Sequence, residues 1–185
     1  MIEKFTEDEI ILNQALYKNQ IKIIKEQLNK KTRIINDLNL YHLVKKKNNT
    51  NILKYIHNTG FDLTGRGGLL MFQAMCSGKF ENAIYLLSLI PKGHHALTLS
   101  MINLFPASLN YKFEVPQEFF NLLMDKIPTQ IFNESVLPKF EQYSPEQRNL
   151  TQKYTTNYYI KKEKEQLDAN IKNNQNQLPC KTKKL

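Results

Sequence analysis

Tryptophan is absent from the chain, and cysteine occurs only twice, at Cys76 and Cys180. Two thiols cannot build a disulfide framework, nor a four-ligand zinc site on their own. Such sparing use of cysteine fits a reducing, cytoplasmic setting. Glycine (6) and proline (7) are too scarce for a turn-rich all-β domain in 185 residues. No apolar run approaches the roughly 18 residues of a membrane span, because Lys, Asn or Gln interrupts each one. The start, Met1-Ile2-Glu3-Lys4-Phe5 followed by Thr6-Glu7-Asp8-Glu9, is too acidic for a signal or transit peptide. Over the whole chain acids are in short supply: 17 Asp and Glu face 26 Lys and Arg, a net charge of +9. That balance allows non-specific attraction to anionic surfaces at low salt, and with heavy use of Asn, Lys and Ile it reads as a compositional bias rather than a signal about partners.

What is present is enough to fold. Hydrophobic residues make up 41% of the chain, which supports a core and argues against wholesale disorder. Three segments align with one another: Leu12 to Leu28, Tyr41 to Ile56 and Met71 to Leu87. Ala15, Val44 and Ala74 correspond, so the register repeats about every 30 residues. Each unit reads as a short helix with a small apolar residue at its centre, a turn at Asn19, Asn48 or Gly78, and a second helix. The apolar positions Ile23, Ile24 and Leu28, or Ile52, Leu53 and Ile56, follow the helical period rather than strand alternation. Asn and Gly suit a left-handed residue ending the first helix. A helix pair of this size cannot bury its apolar face alone; stacked neighbours make a continuous core, and the end units need caps. The expected fold is all-α, a short helical-repeat solenoid with a helical C-terminal extension.

The second unit, Leu40-Tyr41-His42-Leu43-Val44, then Asn51-Ile52-Leu53-Lys54-Tyr55-Ile56, closing on Gly60-Phe61-Asp62, resembles an ankyrin repeat. His42 falls on the family histidine, which bonds backbone, and Gly60-Phe61-Asp62 on the closing Gly-Ala-Asp. The third unit matches at Ala74, Gly78, Glu81, Ala83, Leu86 and Leu87, with Leu69 to Phe72 in place of Thr-Pro-Leu-His. That unit should therefore lack the hydrogen-bonded helix start. The link Leu63 to Gly68 is about three residues shorter than the family hairpin, which implies a stunted finger. The resemblance covers residues 1–91, most clearly from residue 6. It implies a non-enzymatic protein-interaction module that binds through hairpin tips and first helices. Carried onto this chain, the partner-binding residues are Lys46, Lys47, Arg66, Gln73 and Ser77. The combination with an Asn/Lys-rich composition and a polar tail is similar to ankyrin effectors that intracellular bacteria deliver into host cytoplasm, and to viral ankyrin proteins.

Residues 92–140 read as a divergent repeat or a cap. One helix should run from His94 until Pro106 ends it, and an insertion from Pro106 to Glu114 follows. Another helix spans Val115 to Met124, and a short one covers Gln130 to Phe140. Residues 141–172 form a long helix, opened by Ser144-Pro145-Glu146-Gln147 with a cap serine and a capping-box glutamine. Its tyrosines Tyr154, Tyr158 and Tyr159 should pack on the stack and cap it, with an interface for a partner helix as the alternative. Residues 173–185 read as a disordered basic tail.

Chemistry is sparse. His94-His95 lacks further ligands at metal spacing, so a loop pair is the plain reading and no metal or cofactor is implied. Cys76 has no nucleophile signature around it. Gly65-Arg66-Gly67-Gly68 lacks the Lys-Ser/Thr ending of a phosphate loop and reads as a turn. The runs Lys45 to Lys47, Lys161-Lys162 and Lys181 to Lys184 come without a groove-reading motif. They read as solvated faces, with non-specific nucleic-acid association as the alternative. Glu114, Glu118, Asp125, Glu134, Glu141 and Glu146 pair with no histidine in sequence. An enzyme site in 92–160 therefore ranks last.

Overall fold

The computed structural model describes residues 5–34 and 38–176, without the side chains of 38, 65–67 and 174–176. Among them there is no strand: the chain is all-α. Eight helices come in successive pairs: α1 (Glu7–Lys18) and α2 (Ile21–Asn29), α3 (Leu38–Lys46) and α4 (Thr50–Asn58), α5 (Gly65–Cys76) and α6 (Phe80–Leu89), α7 (His95–Tyr111) and α8 (Gln117–Lys126). Contacts run in two rows. α1, α3, α5 and α7 touch in sequence along one, and α2, α4, α6 and α8 along the other. The corresponding small residues Ala15, Val44 and Ala74 are fully buried, and Leu16, Leu43, Met75 and Leu97 pack with them in one core. A larger side chain at the small positions would push neighbouring helices apart, so volume as well as polarity is selected there.

The turn chemistry differs between units. Asn19 adopts φ 60°, and the Gln20 N–H reaches the Ala15 carbonyl at 2.9 Å. Gly78 has φ 66°, and the Lys79 N–H reaches the Ala74 carbonyl at 2.9 Å. These are the same left-handed cap in equivalent positions. Asn48 is a correction, because it has no positive φ. That turn is held from outside instead, by Asn82 of α6, which is fully buried. The Asn82 amide donates to the Val44 and Lys47 carbonyls at 3.0 and 2.8 Å, and its oxygen accepts from the Asn49 N–H at 2.7 Å. Asn49 in turn donates to Asn19 at 3.0 Å, which links two successive turns to α6.

The glycine stretch is not a free turn. α5 begins at Gly65, four residues before Leu69, and Thr64 supplies no side-chain cap because its hydroxyl donates to Asp62 at 2.6 Å instead. Gly68, inside the first turn of α5, carries φ +77°, and a Cβ there would lie 2.8 Å from the Ala96 Cβ. Glycine is required because α5 and the start of α7 meet at that point. His42 also departs from expectation. It sits mid-helix in α3, exposed, with its ring edge-on to Tyr17 at 4.6 Å. No hydrogen bond from it to backbone occurs among the described residues.

α7 does not stop at Pro106; it continues to Tyr111. Proline lacks the N–H that the residue four back needs, which strands the Ile102 carbonyl. The Tyr143 hydroxyl donates to that carbonyl and removes the cost of continuing. The expected insertion from 106 to 114 thus shrinks to a short bend at Lys112, which takes φ 55°.

A short α9 (Thr129–Ile131) leads through a π turn (Phe132–Val136) into α10 (Leu137–Glu141), where Pro138 near the start forbids regular continuation. α11 runs from Pro145 to Asn176, past the expected end at 172. The tail beyond residue 176 lies outside the described residues. The capping box forms as read: Ser144 N–H to Gln147 Oε1 at 3.0 Å, and Gln147 N–H to Ser144 Oγ at 3.3 Å. α11 lies across α7 and α8. Tyr154 is buried against Phe105 and Phe120 and donates to the Val115 carbonyl. Tyr158 donates to Asp125 at 2.8 Å, while Tyr159 is exposed and leaves the packing to the other two. No described helix is long and apolar enough to cross a membrane.

Candidate functional site

The C-terminal ends of α3, α5 and α7 lie side by side because those helices form one row. Between them is a groove of about 430 Å³. Lys45 enters from α3, Gln73 and Cys76 from α5, Ser77, Gly78 and Lys79 from the following turn, Tyr111 from the end of α7 and Phe113 from just beyond it. The wall is set by aromatic packing. Phe80 is buried and meets Phe113 edge-on at 5.5 Å and Phe119 at 5.2 Å. The Phe113 ring passes so close to Gly78 that a Cβ there would lie 3.3 Å from it. The Phe113 N–H is anchored on the Ser108 carbonyl at 3.1 Å. Tyr111 stands free at the rim, 69% exposed.

Two lysines and no carboxylate line this groove, so it is a positive depression with an aromatic rim. Burial pushes the Cys76 thiol up from its ordinary pKa, and the Lys45 charge only partly opposes this. A neutral thiol at physiological pH is a poor nucleophile. No group of three or more His, Cys, Asp and Glu gathers as a metal would need, among the described residues. His94 caps α7 by accepting from the Ala96 N–H at 3.2 Å through Nδ1, so the pair His94-His95 opens a helix.

The residues named from sequence are split by the fold. Gln73 and Ser77 line the groove. Lys46 turns away from it toward α1: its Nζ donates to the Tyr17 carbonyl at 2.9 Å and lies 4.6 Å from the Tyr17 ring centre. Lys47 is exposed and does not line the groove; its carbonyl is held by Asn82. Arg66 sits on the first turn of α5, at the other end of that helix, and its side chain lies outside the described ones. Lys45, Lys79, Tyr111 and Phe113 were missed. The last two fell into a supposed insertion, because nothing local to Pro106 shows that Tyr143 will rescue the helix. A larger groove of about 520 Å³ lies between the segment Leu28–Ile34 and the turn Thr59–Phe61, away from the residues named above.

The chain matches no protein-family profile, no curated protein and no solved structure.

Proposed function

We propose that this chain is a degenerate ankyrin-type repeat protein that acts as a non-enzymatic interaction module. It holds an acidic segment of a partner protein in the groove between α3, α5 and α7. The observation that carries the reading is that groove: Lys45 and Lys79 flank Gln73 and Ser77, Tyr111 projects from the rim, and no acid competes for the lysines. Exposed tyrosine is typical of interface anchors, and the lysines steer and orient an anionic partner. An effector acting on a host protein in the cytoplasm is the setting that the sequence resemblance suggests. The unreactive thiol and the absence of an acid–base pair in the groove support a binding role over catalysis.

The same lysines and aromatics favour a second reading, a sequence-tolerant hold on single-stranded nucleic acid by charge and stacking. Affinity capture from nuclease-treated eukaryotic lysate, with wild type and a Lys45→Glu/Lys79→Glu variant, separates the two. Neither lysine is buried, so the variant should keep its helicity by circular dichroism. A protein retained by wild type and lost with the variant supports the module. Retention that needs intact nucleic acid, and falls steeply with salt, supports the second reading and overturns the first.

A further inference from the structure

The C-terminal half of α11 leaves the body. Among the described side chains its last ties to it are the Tyr158 hydroxyl and the Lys162 ammonium, 2.8 and 2.9 Å from Asp125. From Glu163 to Asn173 every side chain is exposed. Such a projection, about 20 Å of helix to Asn176, has no tertiary support of its own, and isolated helices of this length are marginal. Yet it carries large apolar side chains: Ile160, Leu167 and Ile171 are 59%, 63% and 54% exposed. At 3.6 residues per turn these three fall within about 40° of one another. Thr151, Tyr154 and Tyr158, which face the body, lie roughly 150° round the helix from them. The stripe therefore does not continue the packed face. It points away from the rest of the molecule.

The charges beside the stripe select what covers it. One flank carries Lys161 and Asp168, and the other carries Glu163 and Asn170. If a second copy lay parallel, opposite flanks would meet, with Glu163 facing Asp168 in the usual register, a repulsive pair. If a second copy lies antiparallel, like flanks meet. Lys161 then faces the second copy's Asp168, and by symmetry the pair forms twice. Ile160 stacks on the second copy's Ile171, and Leu167 lies beside the second copy's Lys164. A lysine within the seam costs affinity but fixes register.

We propose that this chain forms a two-fold homodimer through antiparallel pairing of the projecting half of α11. Three apolar side chains from each copy make a small contact, below the roughly 1,200 Å² of a standard interface. The dimer is accordingly reversible and concentration-dependent.

Sedimentation equilibrium of the full chain, from about 1 µM to about 1 mM, tests it. Wild type should pass from monomer to dimer mass across that range, and Leu167→Glu should stay monomeric. Because Leu167 is exposed and touches nothing in the body, this change leaves the fold intact. Lys161→Asp should weaken association by about tenfold, and the Lys161→Asp/Asp168→Lys exchange should restore it. A wild type that stays monomeric throughout overturns the proposal, as does a Leu167→Glu variant that associates normally. An exchange that fails to restore association overturns the antiparallel pairing.

Discussion

Asn82 holds the second turn of the stack from a different helix, because its amide serves three backbone groups at once. It is fully buried, and it closes a turn that belongs to a different repeat unit. Removing it strands an N–H and two carbonyls away from water. Asn82→Ala should therefore cost about 2–4 kcal/mol in urea unfolding. Asn82→Asp should cost at least as much, since a carboxylate would face the Val44 and Lys47 carbonyls without a donor. An Asn82→Ala chain within about 0.5 kcal/mol of wild type would contradict this account of the turn. No sequence pattern marks Asn82, because its three partners, Val44, Lys47 and Asn49, lie in another repeat unit. The left-handed ends at Asn19 and Gly78 were readable, because Asn and Gly tolerate positive φ. Asn48 looked the same and is not, because a long-range donor replaced the local cap.

Helix α7 shows how a local rule yields to a distant side chain. Proline forbids regular hydrogen bonding at Pro106, yet the helix runs five residues further, with Tyr143 on the stranded Ile102 carbonyl. Tyr143→Phe keeps the ring and loses the donor. It should cost about 1–2 kcal/mol. Burial raises the pKa of the Tyr143 phenol well above 10.0. Burial, with help from Asp125, pushes Tyr158 up to about 12. In the unfolded chain both phenols ionise near pH 10. The folded state keeps them neutral, so their contribution is complete below pH 10 and is lost as pH rises toward 12. The urea midpoint of wild type should therefore fall between pH 9 and about pH 11.5. It should fall less in a Tyr143→Phe/Tyr158→Phe chain compared with its own value at pH 9. Equal falls in the two proteins would contradict the assignment. The long helix α11 was far easier to read, since Ser144, Pro145 and Gln147 form a complete local signal. Its boundary at 172 rested on composition alone, which does not terminate a helix.

The molecule as a whole is two rows of helices with α11 laid across one end. Periodicity revealed the first three pairs, because small and apolar residues recur in register. The fourth pair has no such register, and only the packing of α7 on α5 and of α8 on α6 shows that the rows continue. The groove was half readable. Gln73 and Ser77 follow from the repeat alignment, whereas Lys45, Lys79, Tyr111 and Phe113 come together only through the folding of α7. A net charge of +9 gives the surface a general attraction for anions. The groove concentrates it beside an exposed tyrosine. Photo-crosslinking from position 111, with benzoylphenylalanine in place of Tyr111, tests most directly whether this groove is where the chain meets its partner. The account predicts a discrete covalent protein adduct that disappears when Lys45 and Lys79 are changed to glutamate. Adducts to nucleic acid alone, or protein adducts indifferent to those two lysines, would contradict it.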